Sequence, residues 1–119
     1  MAGSDFEISF YEAILKDRPD YVDALMALAE AYTKKGLHEK GLEVDLRLAT
    51  ICKSDPGVFY NLACSLSLMG RIGEAFATLK RAVKFGYSDF GHLDGDPDLK
   101  NLRDDPRFKK WICKIKEVA

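Results

Sequence analysis

Apolar residues along this chain fall mainly at the three- and four-residue spacings of a helix face, and one such face occurs twice. Leu25, Leu28, Ala29 and Tyr32, followed by Gly36, are matched by Phe59, Leu62, Ala63 and Leu66, followed by Gly70, each pair 34 residues apart. The pattern predicts a helix with one buried stripe, a small residue where a neighbouring helix comes close, and a glycine stop. Self-similarity at this period marks stacked helix pairs.

The rest of the chain divides by the same criteria. Ser4 and Glu7 have the spacing of a capping box. A helix is expected to follow to about residue 17, with Phe6, Phe10, Ala13 and Ile14 on its inner face and Ile8, Tyr11 and Leu15 beside it. Pro19 ends it, and Asp20 is expected to cap a second helix over about 21–35. Residues 37–53 predict a third helix, apolar round most of its circumference and therefore packed on two sides. Asp55-Pro56 starts a fourth, and 71–85 form a fifth with Ala75, Phe76, Leu79, Ala82 and Val83 inward. Residues 88–95 read as a loop; Asp96-Pro97 and Asp105-Pro106 then repeat the cap-plus-proline start. Phe108, Trp111, Ile112 and Ile115 form the inner stripe of a final helix.

The 34-residue register extends to the partner helices, placing Ile14, Leu48 and Ala82 in one column and Tyr11, Asp45 and Leu79 in another. The expected fold is all-α, an α-α superhelix of antiparallel helix pairs with a C-terminal capping helix. It forms one domain, 1–119, comprising a half repeat (5–18), two repeats (20–53 and 54–87) and a terminating segment (88–119). Two positions break the pattern. Gly41 stands where the second copy has Ala75, at about 1 kcal/mol of helix propensity. Asp45 stands in an apolar column, where its carboxylate needs solvent or a cation such as Arg47, Lys80 or Arg81.

A net charge of −1 recommends neither nucleic acid nor an anionic membrane as a partner. The charge is uneven, however. Residues 1–30 carry Asp5, Glu7, Glu12, Asp17, Asp20, Asp23 and Glu30 against Lys16 and Arg18, whereas 106–119 carry Arg107, Lys109, Lys110, Lys114 and Lys116 against Glu117. Two solvated faces, or head-to-tail association into a homo-oligomer, both follow from such a distribution. Cys52, Cys64 and Cys113 lack metal-site or disulfide spacing and suit a reducing compartment. No apolar run approaches the ~18 residues of a membrane span. The first ten residues lack the basic and apolar regions of a secretory signal, so the expected location is cytoplasmic.

These residues resemble the tetratricopeptide repeat family, whose pattern is W-x2-L-G-x2-Y, then A-x3-F, then P. Leu25, Leu28, Ala29 and Tyr32 occupy the W, L, G and Y places of one copy, and Phe59, Leu62, Ala63 and Leu66 those of the next, which continues with Ala75, Leu79 and Ala82. Residues 94–112 look like the D-P-D-L-x-x-L-R-x-D-P-R-F ending that closes many such arrays, often in bacterial proteins. The resemblance implies a non-catalytic interaction module that binds a peptide or helix of a partner protein on its concave face. Residues at the matching positions are Asp23, Met26, Glu30, Thr33, Tyr60, Asn61, Cys64 and Ser67, with Tyr60 and Met26 as anchors. Tyr60→Ala is expected to weaken binding and leave the fold intact. The clamp with which some family members grip a chaperone carboxylate is not carried over, because Met26 and Glu30 hold the places of its lysine and one asparagine. A self-associating structural component is the alternative, with Ile8 and Tyr11 as the exposed surface.

No catalytic residue, metal or cofactor is expected. Asp94, Asp96 and Asp98 alternate as in a calcium loop, but Leu99 and Asp105 fall where the sixth-place glycine and twelfth-place glutamate belong. His38 and His92 have no spaced zinc companion, and nothing in the spacing ties His92 to Cys64 as base to nucleophile.

Overall fold

A computed structural model describes residues 2–118, with side chains from Asp5 onward. The chain forms α1 (Ala2–Asp17), α2 (Val22–Lys34), α3 (His38–Ile51), α4 (Pro56–Leu68) and α5 (Ile72–Lys84). The terminating segment adds α6 (Phe90–Gly95), a 3-10 turn (Pro97–Leu99), α7 (Lys100–Arg103) and α8 (Pro106–Val118). Among the described residues there is no strand, and no helix is long and apolar enough to cross a membrane. Consecutive helices from α1 to α5 pack on one another as an all-α superhelix, elongated to 46 × 28 × 22 Å.

The stops and starts follow local chemistry. α2 and α4 both end before a glycine in the left-handed region, Gly36 at φ 84° and Gly70 at φ 75°. A Cβ is disfavoured there, which is why the same residue closes both copies. Asp55 caps α4 by accepting from the N–H groups of Gly57 and Val58 at 2.9 and 3.2 Å, with Pro56 in the first turn. Asp20 does not cap α2; Arg47 of α3 pairs with its carboxylate, and Tyr21 precedes the helix without a side-chain cap. α1 starts at Ala2, ahead of Ser4, so Ser4 is not its N-cap.

The stripe of α1 is rotated from the predicted one. Ile8 is buried against Leu28, Ala31 and Tyr32, with Tyr11 and Leu15 beside it, whereas Phe6 and Phe10 stack on each other in solvent at 70% and 51% exposure. The Tyr32 hydroxyl donates to Glu12 at 2.5 Å and fixes that rotation. The exposed apolar surface of α1 is therefore Phe6 and Phe10, and not Ile8. α3 is likewise packed on fewer sides than expected: Leu42 and Leu48 are buried, but Leu46 and Ile51 face solvent.

Gly41 is explained by close approach. A Cβ there would come 3.0 Å from Thr33 Oγ1 and 3.7 Å from the Ala29 carbonyl, so α2 and α3 meet closely and an alanine would require the Thr33 side chain to shift. Residues 88–95 are not a plain loop. Asp89 accepts from the His92 N–H at 3.0 Å and starts the six-residue α6, too short to show a period in sequence. Leu93, Leu99 and Leu102 are fully buried and join Phe108 and Ile112 in the main core. The terminating segment thus belongs to the core.

Gly70→Ala is expected to destabilise the chain by about 1 kcal/mol, because the positive φ is imposed by both flanking helices. Denaturant unfolding measures this directly; an unchanged midpoint would show that the turn tolerates a Cβ.

Candidate functional site

α2 and α4 lie side by side with the α6 corner closing one end, and between them runs a groove of about 350 Å³. Met26, Glu30 and Thr33 of α2 form one wall, and Tyr60, Asn61 and Cys64 of α4 the other. His92, Asp96 and Asp98 line the end formed by the terminating segment, and Asp45 reaches the groove from α3. Of the residues singled out from sequence, six therefore converge. Asp23 is exposed but does not line the groove.

Ser67 is a correction. It is fully buried, its Oγ accepts the Leu102 N–H at 3.3 Å and its carbonyl accepts the Asn101 side chain at 3.1 Å. Tyr60 and Cys64 are also almost wholly buried, at 4% and 7% exposure, so they support the groove from beneath and do not stand out as contacts. Tyr60, Cys64 and Ser67 follow one another at helical spacing and make a second stripe on α4, which the terminating segment covers. That second stripe is why α4 is buried almost all round.

Asp96 gathers this corner. Its Oδ1 accepts the Asp98 N–H at 3.0 Å, starting the 3-10 turn. Its Oδ2 accepts from the Tyr60 hydroxyl at 2.6 Å and from Cys64 Sγ at 3.7 Å, with His92 Nε2 at 3.3 Å. Its carbonyl accepts from Arg103, which also donates to the Leu93 carbonyl at 3.0 Å. Tyr60 stacks flat on Tyr87, centroids 4.3 Å apart. Burial, and then the bond to Asp96, holds the Tyr60 phenol firmly protonated. Burial, reinforced by the Asp96 charge, raises the Cys64 thiol as well. Spacing gave no link between Cys64 and His92, yet both meet Asp96. The arrangement disfavours the thiolate, the form a nucleophile requires.

Asp45 has no cation among the described residues. Its carboxylate accepts from the Ser65 hydroxyl, while Arg47 turns to Asp20, Lys80 lies over Phe76 and Arg81 over Phe59. Burial pushes its pKa up to about 6, partly offset by the serine bond. Burial and the neighbouring Asp96 charge also raise Asp98, with His38 opposing. Glu30 is paired with Lys34 at 3.0 Å. The alternating acids at 94–98 have separate roles: Asp94 meets Lys116 at 2.5 Å, Asp96 fastens the corner and Asp98 lines the groove. No group of three His, Cys, Asp or Glu among the described residues is arranged to hold a metal ion.

Comparison with known proteins gives two curated relatives. The chain is 38% identical over 85 residues to human Tetratricopeptide repeat protein 13, covering 67% of this chain and 10% of that protein. It is 32% identical over 92 residues to a chloroplastic protein of Arabidopsis thaliana, covering 72% of this chain and 27% of that protein. The chain thus spans about a tenth of the length of the human relative and about a quarter of that of the plant one. No protein-family model matches the chain, and no solved structure does.

Tyr60→Phe leaves Asp96 one donor short and is expected to cost about 1–2 kcal/mol in denaturant unfolding. Tyr60→Ala also opens a cavity and is expected to cost about 3 kcal/mol or more, contrary to the expectation that it spares the fold. A neutral Tyr60→Phe would remove Asp96 as the fastening point. For Asp45 the folded pKa lies above the unfolded value, so protonation favours the folded state. That contribution is present below about pH 4 and lost as pH rises through about 6. Asp45→Asn should therefore raise stability near pH 7.5, by up to about 2 kcal/mol, and change little near pH 4. Equal shifts at both pH values would contradict an ionised, desolvated Asp45.

Proposed function

We propose that the chain is a tetratricopeptide-type repeat module that binds a segment of a partner protein in the groove between α2 and α4, without catalysing a reaction. It divides into the half repeat 5–18, the repeats 20–53 and 54–87 and the terminating segment 88–119. The observation that carries this reading is the open groove of about 350 Å³, built from side chains of α2, α3, α4 and the terminating segment. Met26, Glu30, Thr33 and Asn61 are the contacts, because they are the accessible wall residues, and Tyr60 and Cys64 hold the wall in place. A pre-formed surface loses little ordering entropy when an extended or helical segment docks. The relative named for tetratricopeptide repeats supports the family assignment. The free thiols Cys52, Cys64 and Cys113 suit a reducing compartment, the cytoplasm or the interior of an organelle such as that named for the plant relative.

Self-association is the second reading, favoured by the exposed Phe6–Phe10 stack on α1. Sedimentation of Phe6→Ser/Phe10→Ser beside the unsubstituted chain separates a monomer from a dimer joined there.

The groove reading is tested by panning displayed random dodecapeptides on the chain and on Asn61→Trp, whose indole fills the groove. Selected peptides are expected to lose about tenfold or more in affinity on Asn61→Trp while the helical circular dichroism is unchanged. Peptides that bind both proteins equally would put the contact on another surface.

A further inference from the structure

We infer that the groove accepts a lysine or arginine side chain of the bound segment, its cationic head placed among Asp45, Asp96 and Asp98. This rests on the reading of the groove as the partner site.

Two observations converge on it. The first is the charge lining the cavity. Lys34 is engaged with Glu30, which leaves Asp45, Asp96 and Asp98 opposed within the lining only by His92, with His38 acting on Asp98 from outside it. Asp96 is held by Tyr60, Cys64 and the Asp98 N–H, but the Asp98 side chain makes no hydrogen bond or ion pair among the described residues. The second observation is Asp45 itself. It is only 3% exposed, stands in a column that holds Tyr11 and Leu79 elsewhere, and is satisfied among the described residues only by the Ser65 hydroxyl. A buried carboxylate without a cation is a liability to the free fold. It turns favourable when an ammonium or guanidinium completes the pair.

The lining also suits a long side chain. Leu48, Ala29 and Leu68 line the groove together with the carboxylates, so an aliphatic stem has apolar surface to lie on while its charged head meets them. A carboxylate terminus has the wrong sign for this lining. The occupant is therefore a basic segment of a protein partner, and not an acidic tail.

The test uses the groove-dependent dodecapeptides selected above, resynthesised with their ends blocked, against the chain, Asp45→Asn and Asp98→Asn. Lysine or arginine is expected in the selected sequences, and replacing it by glutamine should weaken binding about tenfold. Asp45→Asn and Asp98→Asn should each weaken the basic peptide about three- to tenfold and leave the glutamine version unchanged. Because Asp45→Asn is expected to stabilise the fold near neutral pH, a loss of binding in it is not unfolding. Groove-dependent peptides without basic residues, or basic peptides indifferent to both variants, would overturn the cation assignment while leaving the groove as partner site. Selected peptides indifferent to Asn61→Trp would remove the groove reading, and this inference with it. Spermidine binding as tightly as the peptide would replace the protein partner by a free polyamine.

Discussion

The bond between Tyr60 and Asp96 joins two parts of the chain that lie 36 residues apart, and the groove depends on it. Tyr60 belongs to α4, inside the repeated pattern, and Asp96 to the corner between α6 and the 3-10 turn, outside it. The same carboxylate starts that turn, receives Cys64 and lies beside His92, while Arg103 ties the Asp96 and Leu93 carbonyls together. One residue thus orients the terminating segment and seats it on α4. Neutralising or shortening it would loosen the wall of the groove and the cap of the array together.

Helix pairing supplies the platform on which that bond acts. Residues at the small positions let the helices approach: Ala63 and Ala75 are wholly buried, and Gly41 leaves space that Thr33 and the Ala29 carbonyl fill. Gly36 and Gly70 reverse the chain in the same way after each first helix. The result is a stack in which α2 and α4 supply the two walls of the groove.

The repeated stripe, the stop glycines and the Asp55 cap were legible because each rests on interactions within one or two helical turns. The burial of Tyr60, Cys64 and Ser67 was not, because it depends on a segment some 30 residues downstream folding back over α4. Their spacing was itself a signal, since a second stripe on a helix already carrying Phe59, Leu62 and Leu66 implies a second neighbour. The rotation of α1 escaped for a similar reason. Phe6 and Phe10 are the more apolar pair, but the Tyr32–Glu12 bond and the fit of Ile8 decide which face turns inward. Asp45 was recognised as an anomaly from its column alone, whereas its partner Ser65 sits 20 residues away on another helix and only the packing reveals it. A carboxylate held there at a cost to stability is the property that the proposed cation site uses.

A partner, on the function proposed above, docks on the face held between α2, α4 and the Asp96 corner. Amide chemical-shift mapping of the isotopically labelled chain with a selected peptide tests it most directly. Shifts concentrated at Met26, Glu30, Thr33, Asn61 and His92 are the predicted result. Shifts concentrated on the exposed faces of α1 or α8, with those five residues unmoved, would contradict it.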